Sequence, residues 1–192
     1  MMRALKQQGS AAGRLINDHE AALRQAPDTS APMRTVERTV PIDWTDYNGH
    51  MNEARYLDCF SMATDAVMRW IGVDAAYLAD GGSYFTVETH IRHLDEVTAG
   101  SEIFATSQVL HGAGKKLQLF HHLYAAGGDG ESQEPRLLAT GEHMLIHVDI
   151  NSRSSSLPSD AVAAKLAELA AAHDALPRPE GAGRAIGSLN RG

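Results

Sequence analysis

Hydrophobic and polar residues follow regular patterns along most of the chain, and these patterns predict its elements. Residues 35–44 are rich in β-branched side chains and predict a first strand. From residue 53 to residue 71, apolar side chains recur at steps of three and four, which is one face of a helix of about five turns. The members of that face are Leu57, Phe60, Thr64, Val67 and Ile71. Gly72 follows, and a glycine just past the last helical residue commonly ends a helix.

Four further strands and a second helix are predicted downstream. The strands cover residues 83–94, 102–111, 116–126 and 136–149. In the first of them, one face is expected to carry Phe85, Val87, Thr89 and Ile91. The short connections favour a meander, with a glycine-containing hairpin turn at residues 112–115. An alanine-rich amphipathic helix is predicted over residues 158–173, and an irregular tail follows Pro177.

The order of these elements predicts the fold class and the domain organisation. A single apolar helix beside an antiparallel sheet requires the sheet to curl around it, so we expect an α+β fold of about five strands wrapped around one long helix. The compact domain is expected to span residues 34–150. Residues 1–33 have little apolar periodicity and predict a flexible N-terminal extension. Residues 151–192 would form a C-terminal helix and an irregular tail.

The composition argues against several classes of protein. With 192 residues, 43% of them hydrophobic and 21% charged, the chain has the make-up of one soluble domain with some extra length. No apolar run approaches the ~20 residues that cross a bilayer, and the first 30 residues lack a signal-peptide pattern. Cys59 is the single cysteine, which fits a reducing, cytoplasmic location and an inert buried thiol. The net charge of −7 argues against general nucleic-acid binding.

Ten histidines raise the question of a metal site. The chain has no His-Glu-x-x-His segment and no paired cysteines, which are the spacings that usually carry zinc. His121 and His122 are consecutive, so on a strand they would face opposite sides of the sheet and could not share a metal ion. We therefore expect neither a metal nor another cofactor.

The most informative segment is the turn between the first strand and the long helix, Asp46-Tyr47-Asn48-Gly49-His50. It puts a carboxylate next to the unpaired backbone N–H groups of a helix start. A carboxylate can act as a base or nucleophile and the N–H groups can hold an oxyanion, which are the two parts that acyl transfer needs. Gly49 would allow a sharp turn and a close approach to substrate. The alternative is that Asp46 only caps the turn or the helix.

Several neighbours of Asp46 have both a functional and a structural interpretation. Asn48 and Asn52 would either contact the substrate or serve as turn former and helix N-cap. His50 is a candidate general base because imidazole titrates near neutral pH, although a histidine in a turn often only bonds the backbone. Tyr56 lies one turn into the helix, where packing is the expected role.

The spacing Asp46-x-x-Gly49-His50-x-Asn52-x-x-x-Tyr56 resembles the hotdog-fold acyl-CoA thioesterases of the 4-hydroxybenzoyl-CoA thioesterase type. The resemblance covers about residues 34–150 and implies a hotdog fold and an acyl-CoA substrate. It implies that Asp46 acts on the thioester carbon, directly as a nucleophile or through an activated water. The backbone amide of Glu53 would be the oxyanion donor, and a histidine at position 50 would not be essential.

The family resemblance also implies a homodimer or a dimer of dimers, because a single hotdog sheet leaves edge strands open. In such an assembly, strand residues of one subunit can line the pocket of the other, and Glu88 is the candidate here. Glu88, His90 and Arg92 share one face of their strand. The alternative is that this face is simply solvated.

A narrower likeness joins this chain to the betainyl-CoA thioesterases, which occur alone or fused to L-carnitine dehydrogenase in carnitine breakdown. It is carried by the segments at residues 46–53, 87–96 and 183–186. It implies a small cationic acyl group. Aromatic rings would then contact the trimethylammonium group, and Glu88 would add negative charge. The candidate rings are Trp44, Tyr47, Tyr84 and Phe85, whose alternative role is core or interface packing.

Other functions are compatible with a hotdog domain. A hydratase or dehydratase would use an Asp/His pair, but the spacing from Asp46 to His50 fits that motif poorly. A general short-chain acyl-CoA thioesterase would use the same chemistry on a neutral acyl group. A non-catalytic acyl-CoA-binding module is a different class, and it would have no need of a carboxylate beside the thioester. Release of free CoA from a panel of acyl-CoAs separates these possibilities.

Overall fold

The computed structural model describes residues 28–127 and 134–186. Most of the predicted N-terminal extension lies outside these ranges. The strands are β1 (Met33–Thr39), β2 (Gly82–His93), β3 (Glu102–Ala113), β4 (Lys116–Ala125), β5 (Arg136–Asp149) and β6 (Ser154–Ser155). The helices are α1 (Glu53–Trp70), α2 (Ala75–Ala79) and α3 (Asp160–Asp174), and a 3₁₀ turn covers Ile42–Trp44.

The predicted long helix is confirmed as α1. Its N-cap is Asn52, whose side chain accepts a hydrogen bond from the Ala54 N–H at 3.0 Å. Gly72 follows the helix with a φ of +96°, a conformation that side chains disfavour. The predicted first strand was too long, because β1 ends at Thr39 and the chain enters a 3₁₀ turn after Pro41. Proline lacks the N–H that a continuing ladder would require.

The meander prediction is wrong for β2. The sheet has the antiparallel order β1-β3-β4-β5-β2, with the short β6 also paired with β5, so that β2 lies beside neither β1 nor β3. β2 pairs with β5 at the edge opposite β1. Residues 94–101 carry the chain across to the other side, where the Gly100 N–H donates to the Val40 carbonyl at 2.8 Å. This order lets the sheet enclose α1 from both sides, which a simple meander would not do.

Helix α1 fills the concave face of the curled sheet. The Phe60 ring is fully buried, and a Cβ placed on Gly141 of β5 would lie 2.7 Å from it. The phenyl ring therefore occupies the space that a side chain at position 141 would need. Apolar residues of α1, β1, β3, β4 and β5 complete this part of the core. A second apolar cluster continues past Val67 and Ile71 to α3.

Helix α3 covers an edge of the sheet that β1 leaves open. β1 pairs with β3 only as far as Ser107. Beyond that point the Val109 N–H donates to His173 Nδ1 at 2.8 Å, and Leu166 of α3 lies so close to Gly112 that a Cβ there would be 2.7 Å away. Exposed strand edges promote association with other chains, and here a helix takes the place of a neighbouring strand.

The segment after α3 has no helix or strand up to residue 186 and crosses the convex face of the sheet. The Pro177 carbonyl accepts a hydrogen bond from Gln108 of β3 at 3.3 Å. The Gly183 N–H donates to Glu142 of β5 at 2.6 Å, and Gly181 lies against the Arg92 guanidinium of β2. The tail is therefore irregular but docked.

A polar network is enclosed between α1 and the sheet. The two ring nitrogens of fully buried His121 lie 3.1 Å from Thr64 Oγ1 and 2.7 Å from Ser107 Oγ. His143 packs edge-on against the same ring, with centroids 5.1 Å apart. His122, by contrast, lies on the opposite face, as its consecutive position predicts. Hydrogen-bonded polar groups can be buried at low cost, but a charged imidazole here would lack water.

Neither a membrane-spanning helix nor a metal-binding cluster is found among the described residues. Within residues 28–127 and 134–186, no helix is both long and apolar enough to span a membrane. In the same ranges, no three or more His, Cys, Asp or Glu side chains are arranged to hold a metal ion.

The docking of α3 predicts that it is an integral part of the fold. Leu166 is 1% exposed, whereas Leu157, just before the helix, is 67% exposed. We expect Leu166→Ala to lower the free energy of unfolding by about 2–5 kcal/mol, as removal of a buried leucine does in well-packed cores. Urea unfolding measures the change, and Leu157→Ala is the matched control. Equal, small effects of both variants would show that α3 is only peripheral.

The buried histidines predict acid lability. Burial lowers the pKa of His121 well below its usual value and lowers the pKa of His143 to about 4. Because the unfolded chain binds these protons near pH 6.5, the stabilisation is complete above that pH. The free energy of unfolding should fall by about 1.4 kcal/mol per pH unit for each such histidine between pH 6.5 and 4. Urea unfolding across this range measures the slope.

The control for this pH dependence is a pair of glutamine variants. His143→Gln removes one buried titrating group and should make the slope shallower, even if it also lowers stability at pH 7. His111 is exposed, and His111→Gln should leave the slope as it is in the original protein. Identical slopes in all three proteins would contradict the assignment.

Candidate active site

The turn at residues 46–50 has a defined backbone geometry. The Asp46 N–H donates to the His50 carbonyl at 2.9 Å, and the Gly49 N–H donates back to the Asp46 carbonyl at 3.0 Å. Gly49 has a φ of +80° with open space around it, which fits the predicted role of a glycine in a sharp turn. Asp46 Oδ1 accepts the Asn48 N–H at 2.8 Å. No hydrogen bond within the described residues reaches its other oxygen, so this carboxylate can shape the turn and still react.

Hydrogen bonds on both sides hold this turn in place. Thr45 and Met51 form a β-bridge across its base, and the Asn52 N–H donates to the Trp44 carbonyl at 2.9 Å. On the other side, the Met51 N–H donates to the Val97 carbonyl at 2.7 Å. The loop that leaves β2 is therefore fixed against the turn, which brings residues about 50 positions apart into one site.

The start of α1 supplies a free backbone donor. Asn52 accepts the Ala54 N–H with its side chain and the Arg55 N–H with its carbonyl. The Glu53 N–H precedes these two donors at the helix start and has no acceptor among the described residues. It also lies at the positive end of the helix dipole, where a developing negative charge is stabilised. The side chain of Glu53 is exposed in the first turn.

An open cleft of about 490 Å³ lies over the turn and the helix start. Nine residues line it: Asp46, His50, Met51, Glu53, Tyr56, His93, Leu94, Asp95 and Glu96. The last four belong to the end of β2 and the loop after it, and they were not predicted as site residues. Residues 93–96 belong to a segment quoted for its family likeness, but their place in the cleft was not predicted, because strand periodicity cannot show which loop meets the turn.

Tyr56 connects α1 to residues 93–96, which form the second wall of the cleft. Its hydroxyl donates to the Asp95 carbonyl at 3.2 Å, and its ring meets the His93 ring edge to face with centroids 4.9 Å apart. Tyr56 is 4% exposed, and burial raises the pKa of its hydroxyl. The expected packing role therefore holds, and the same residue also contributes to the cleft.

The cleft is acidic. Asp46, Glu53, Asp95 and Glu96 supply four carboxyl groups. Asp95 forms an ion pair with Arg136 at 2.5 Å, and the hydrogen bond from that guanidinium lowers the pKa of the Asp95 carboxyl. Glu96 Oε2 lies 3.1 Å from His50 Nδ1. A surface with this charge favours a positively charged group in the cleft.

The predicted aromatic residues do not assemble around the cleft within this chain. Trp44 is 9% exposed, and the guanidinium groups of Arg38 and Arg55 lie over its ring at 3.8 and 5.5 Å from the centroid. Tyr84 is buried beside His147, with ring centroids 4.9 Å apart. Tyr47 lies on the tip of the turn and is 97% exposed.

A register shift in β2 explains where its residues point. The pairing with β5 shifts between Thr86 and Glu88, so strict alternation of faces is lost. Phe85 is consequently 53% exposed, while Ile91 is half-buried against α1, and the prediction that they share a face is wrong. Glu88 is exposed on β2 and does not line the cleft.

The candidate residues thus separate into two groups. The structure brings Asp46, His50 and Glu53 together, with Asn48, Gly49 and Asn52 shaping the backbone around them. It leaves Trp44, Tyr47, Tyr84 and Glu88 outside the cleft. Cys59 is fully buried, and burial raises the pKa of its thiol to about 12, in agreement with the predicted inert role.

Comparison with known proteins places this site in a family. The model of the thioesterase-like superfamily matches residues 40–166. L-carnitine dehydrogenase/betainyl-CoA thioesterase of Ruegeria pomeroyi is 50% identical over 193 residues, 97% of this chain and 38% of that protein. Betainyl-CoA thioesterase of Pseudomonas aeruginosa is 42% identical over 159 residues, 82% of this chain and 96% of that protein.

A solved structure gives the same result. The crystal structure of a candidate thioesterase from Pseudomonas putida KT2440 has a TM-score of 0.68 and 34% identity, covering 83% of this chain and 98% of that one. The predicted α+β hotdog fold is thereby confirmed. The chain spans 38% of the length of the Ruegeria relative, which carries a second named activity. With a family match over residues 40–166 and relatives at 34–50% identity, this chain belongs to the thioesterase-like superfamily.

Proposed function

We propose that this protein hydrolyses a small acyl-CoA thioester, with betainyl-CoA as the substrate and betaine and CoA as the products. One observation carries the proposal: Asp46 and the Glu53 N–H of a helix start share a cleft, and within the described residues one Asp46 carboxylate oxygen and this N–H have no hydrogen-bond partner. A nucleophile or base and an oxyanion donor are the minimum that thioester hydrolysis requires. The names of the relatives support the choice of acyl group.

The chemistry follows from this pair. The thioester oxygen accepts the Glu53 N–H, and the helix end stabilises the negative charge that develops there. Asp46 then acts by one of two routes. It attacks the carbonyl carbon to expel CoA as thiolate, and water hydrolyses the resulting anhydride, or it removes a proton from the water that attacks. Both routes end with a carboxylate product, the free thiol and an unchanged Asp46.

The acidic cleft supports a cationic acyl group over a neutral one of the same shape. A trimethylammonium group carries its charge two bonds from the thioester carbon, so it would enter the cleft together with the reacting atoms. Asp46, Glu53 and Glu96 would attract it there. This charge pattern is what the proposal adds to the general acyl-CoA thioesterase function, and it suits a role in carnitine breakdown.

The active form is proposed to be a homodimer or a dimer of dimers in the cytoplasm. Within the described residues, β2 pairs only with β5, which leaves its outer edge open. Phe85 and Val87 on this strand are 53% and 60% exposed. An open edge with exposed apolar side chains favours pairing with a second copy. A partner strand there would also bring Glu88 closer to a neighbouring subunit.

Asp46→Asn should abolish most turnover while the turn stays intact. The amide oxygen can still accept the Asn48 N–H, but the side chain can neither attack nor remove a proton. We expect kcat to fall by at least tenfold, a loss of about 1.4 kcal/mol or more of transition-state stabilisation. CoA release measured with a thiol reagent reports this change. Asp43→Asn, an exposed neighbour outside the cleft, is the control, and comparable activity of both variants would exclude Asp46 as the reacting group.

The acyl preference tests the proposed substrate. In 3,3-dimethylbutanoyl-CoA, a carbon atom replaces the positively charged nitrogen of betainyl-CoA and the shape stays the same. We expect kcat/KM to favour the cationic substrate by at least tenfold, about 1.4 kcal/mol. Each value is first divided by the rate of hydroxide-catalysed hydrolysis of the same thioester, because the ammonium group makes the nearby thioester carbon more reactive in any environment. A preference below tenfold would assign the protein to the general short-chain class.

The state of assembly can be tested at the β2 edge. Light scattering should give a mass of two or four times 20.7 kDa for the unmodified chain. Val87→Asp places a charge at the exposed edge and should shift the mass towards 20.7 kDa, since desolvating an unpaired carboxylate is costly. Asp46→Asn, in the cleft, should leave the mass unchanged. A stable and active monomer of the original sequence would refute the proposed assembly.

A further inference from the structure

The four carboxyl groups of the cleft differ in their proposed roles and in the partners that they already have. Asp46 shapes the turn and is the proposed reacting group, and Glu53 begins the helix and provides the proposed oxyanion donor with its N–H. Asp95 is neutralised by Arg136, a permanent cation. Glu96 is the remaining carboxylate. It has neither a reacting position nor a permanent countercharge within the described residues.

Glu96 is nevertheless held in a defined position. Its Oε2 lies 3.1 Å from His50 Nδ1, and its backbone N–H donates to Asp95 Oδ1 at 2.8 Å. The following residues are fixed to the turn by the Met51 N–H to Val97 carbonyl bond and by the bridge between His50 and Thr98. The carboxylate is 66% exposed and lines the cleft, so a ligand can reach it.

The imidazole partner makes this arrangement different from an ordinary ion pair. A guanidinium would cancel the carboxylate charge at all physiological pH values, whereas an imidazole can donate a hydrogen bond in its neutral form. His50 can therefore orient the carboxylate and leave its negative charge available. The rings that were candidates for binding the cation are not at the cleft, and the Trp44 ring already has the Arg38 and Arg55 guanidinium groups over it.

We propose that Glu96, positioned by His50, is the countercharge that binds the cationic head of the acyl group and so determines the acyl specificity of the enzyme. The inference rests on the proposed function, because it assigns a residue to the recognition of the proposed substrate. Tyr56 and His93 contribute the walls beside this carboxylate, with ring centroids 4.9 Å apart. His50 is a positioning residue in this arrangement and takes no part in proton transfer.

The test measures a change of preference, so that intrinsic thioester reactivity cancels. kcat/KM is determined for betainyl-CoA and for 3,3-dimethylbutanoyl-CoA in the original protein and in Glu96→Gln. We expect the variant to lose at least tenfold for the cationic substrate and less than twofold for the neutral one. Glu168→Gln, the same change on an exposed position of α3, should alter neither value. An unchanged preference in Glu96→Gln, with both substrates still hydrolysed, would overturn the assignment.

Glu88→Gln tests the competing assignment, in which Glu88 of a partner subunit is the countercharge for the cationic head. A selective loss for betainyl-CoA in Glu88→Gln with none in Glu96→Gln would transfer the role to Glu88 and refute the proposal. Failure of the proposed function looks different, because the original protein would then hydrolyse neither substrate or would show no preference for the cation. Circular dichroism of each variant confirms that the comparison is between folded proteins.

His50→Asn separates positioning from proton transfer. If His50 orients Glu96, the variant should raise KM for betainyl-CoA several-fold, while kcat for the neutral substrate stays within twofold of the original. If His50 is the general base, kcat should fall by a similar factor for both substrates, and the positioning role would be refuted. The pH profile of kcat for the neutral substrate supplies a second readout, which a positioning residue leaves unchanged.

Discussion

The packing of α1 into the concave face of the sheet is the constraint on which the rest of the structure depends. Phe60 occupies the space that a side chain at position 141 would need, so the helix can approach the centre of the sheet closely. This contact, together with the surrounding apolar cluster, holds the helix close to the sheet. Because the N-terminus of the helix then emerges at a defined point of the rim, the Glu53 N–H has a fixed place relative to Asp46.

The crossing segment after β2 connects the topology to the chemistry. It carries the chain from one edge of the sheet to the other, and on the way its residues form the second wall of the cleft. The bond between the Met51 N–H and the Val97 carbonyl belongs to this crossing. A change that loosened the loop would therefore disturb both the closure of the sheet around the helix and the position of Asp95 and Glu96 in the cleft.

The interior of this protein carries more polar groups than a purely apolar core, and each has a physical consequence. His121 is fully enclosed with hydrogen-bond partners on both nitrogens, while His143 Nε2 has no partner among the described residues. Burial lowers the pKa values of both side chains, so the folded state requires them neutral. The same network links α1 to β3 and β4, which adds directional contacts to the packing of the helix.

The sequence by itself determined the local elements and the turn that carries Asp46. The apolar face of residues 53–71 predicts α1 to within one residue. The helical repeat of apolar side chains can be recognised without knowing what the helix packs against. The Asp46–His50 turn was identifiable because its glycine and its flanking strand and helix are local features. The chemistry of a carboxylate at a helix start follows from bonds within a few residues.

Only the tertiary structure decided the strand order, the faces of β2 and the second wall of the cleft. Strand pairing is set by which order encloses the helix, and local periodicity contains no information about that choice. A single register shift near Thr86 moved Phe85 outward, which no alternation rule predicts. Glu96 and His50 meet because a loop and a turn 46 positions apart are hydrogen-bonded to one another, and a contact of that kind exists only once the chain has folded.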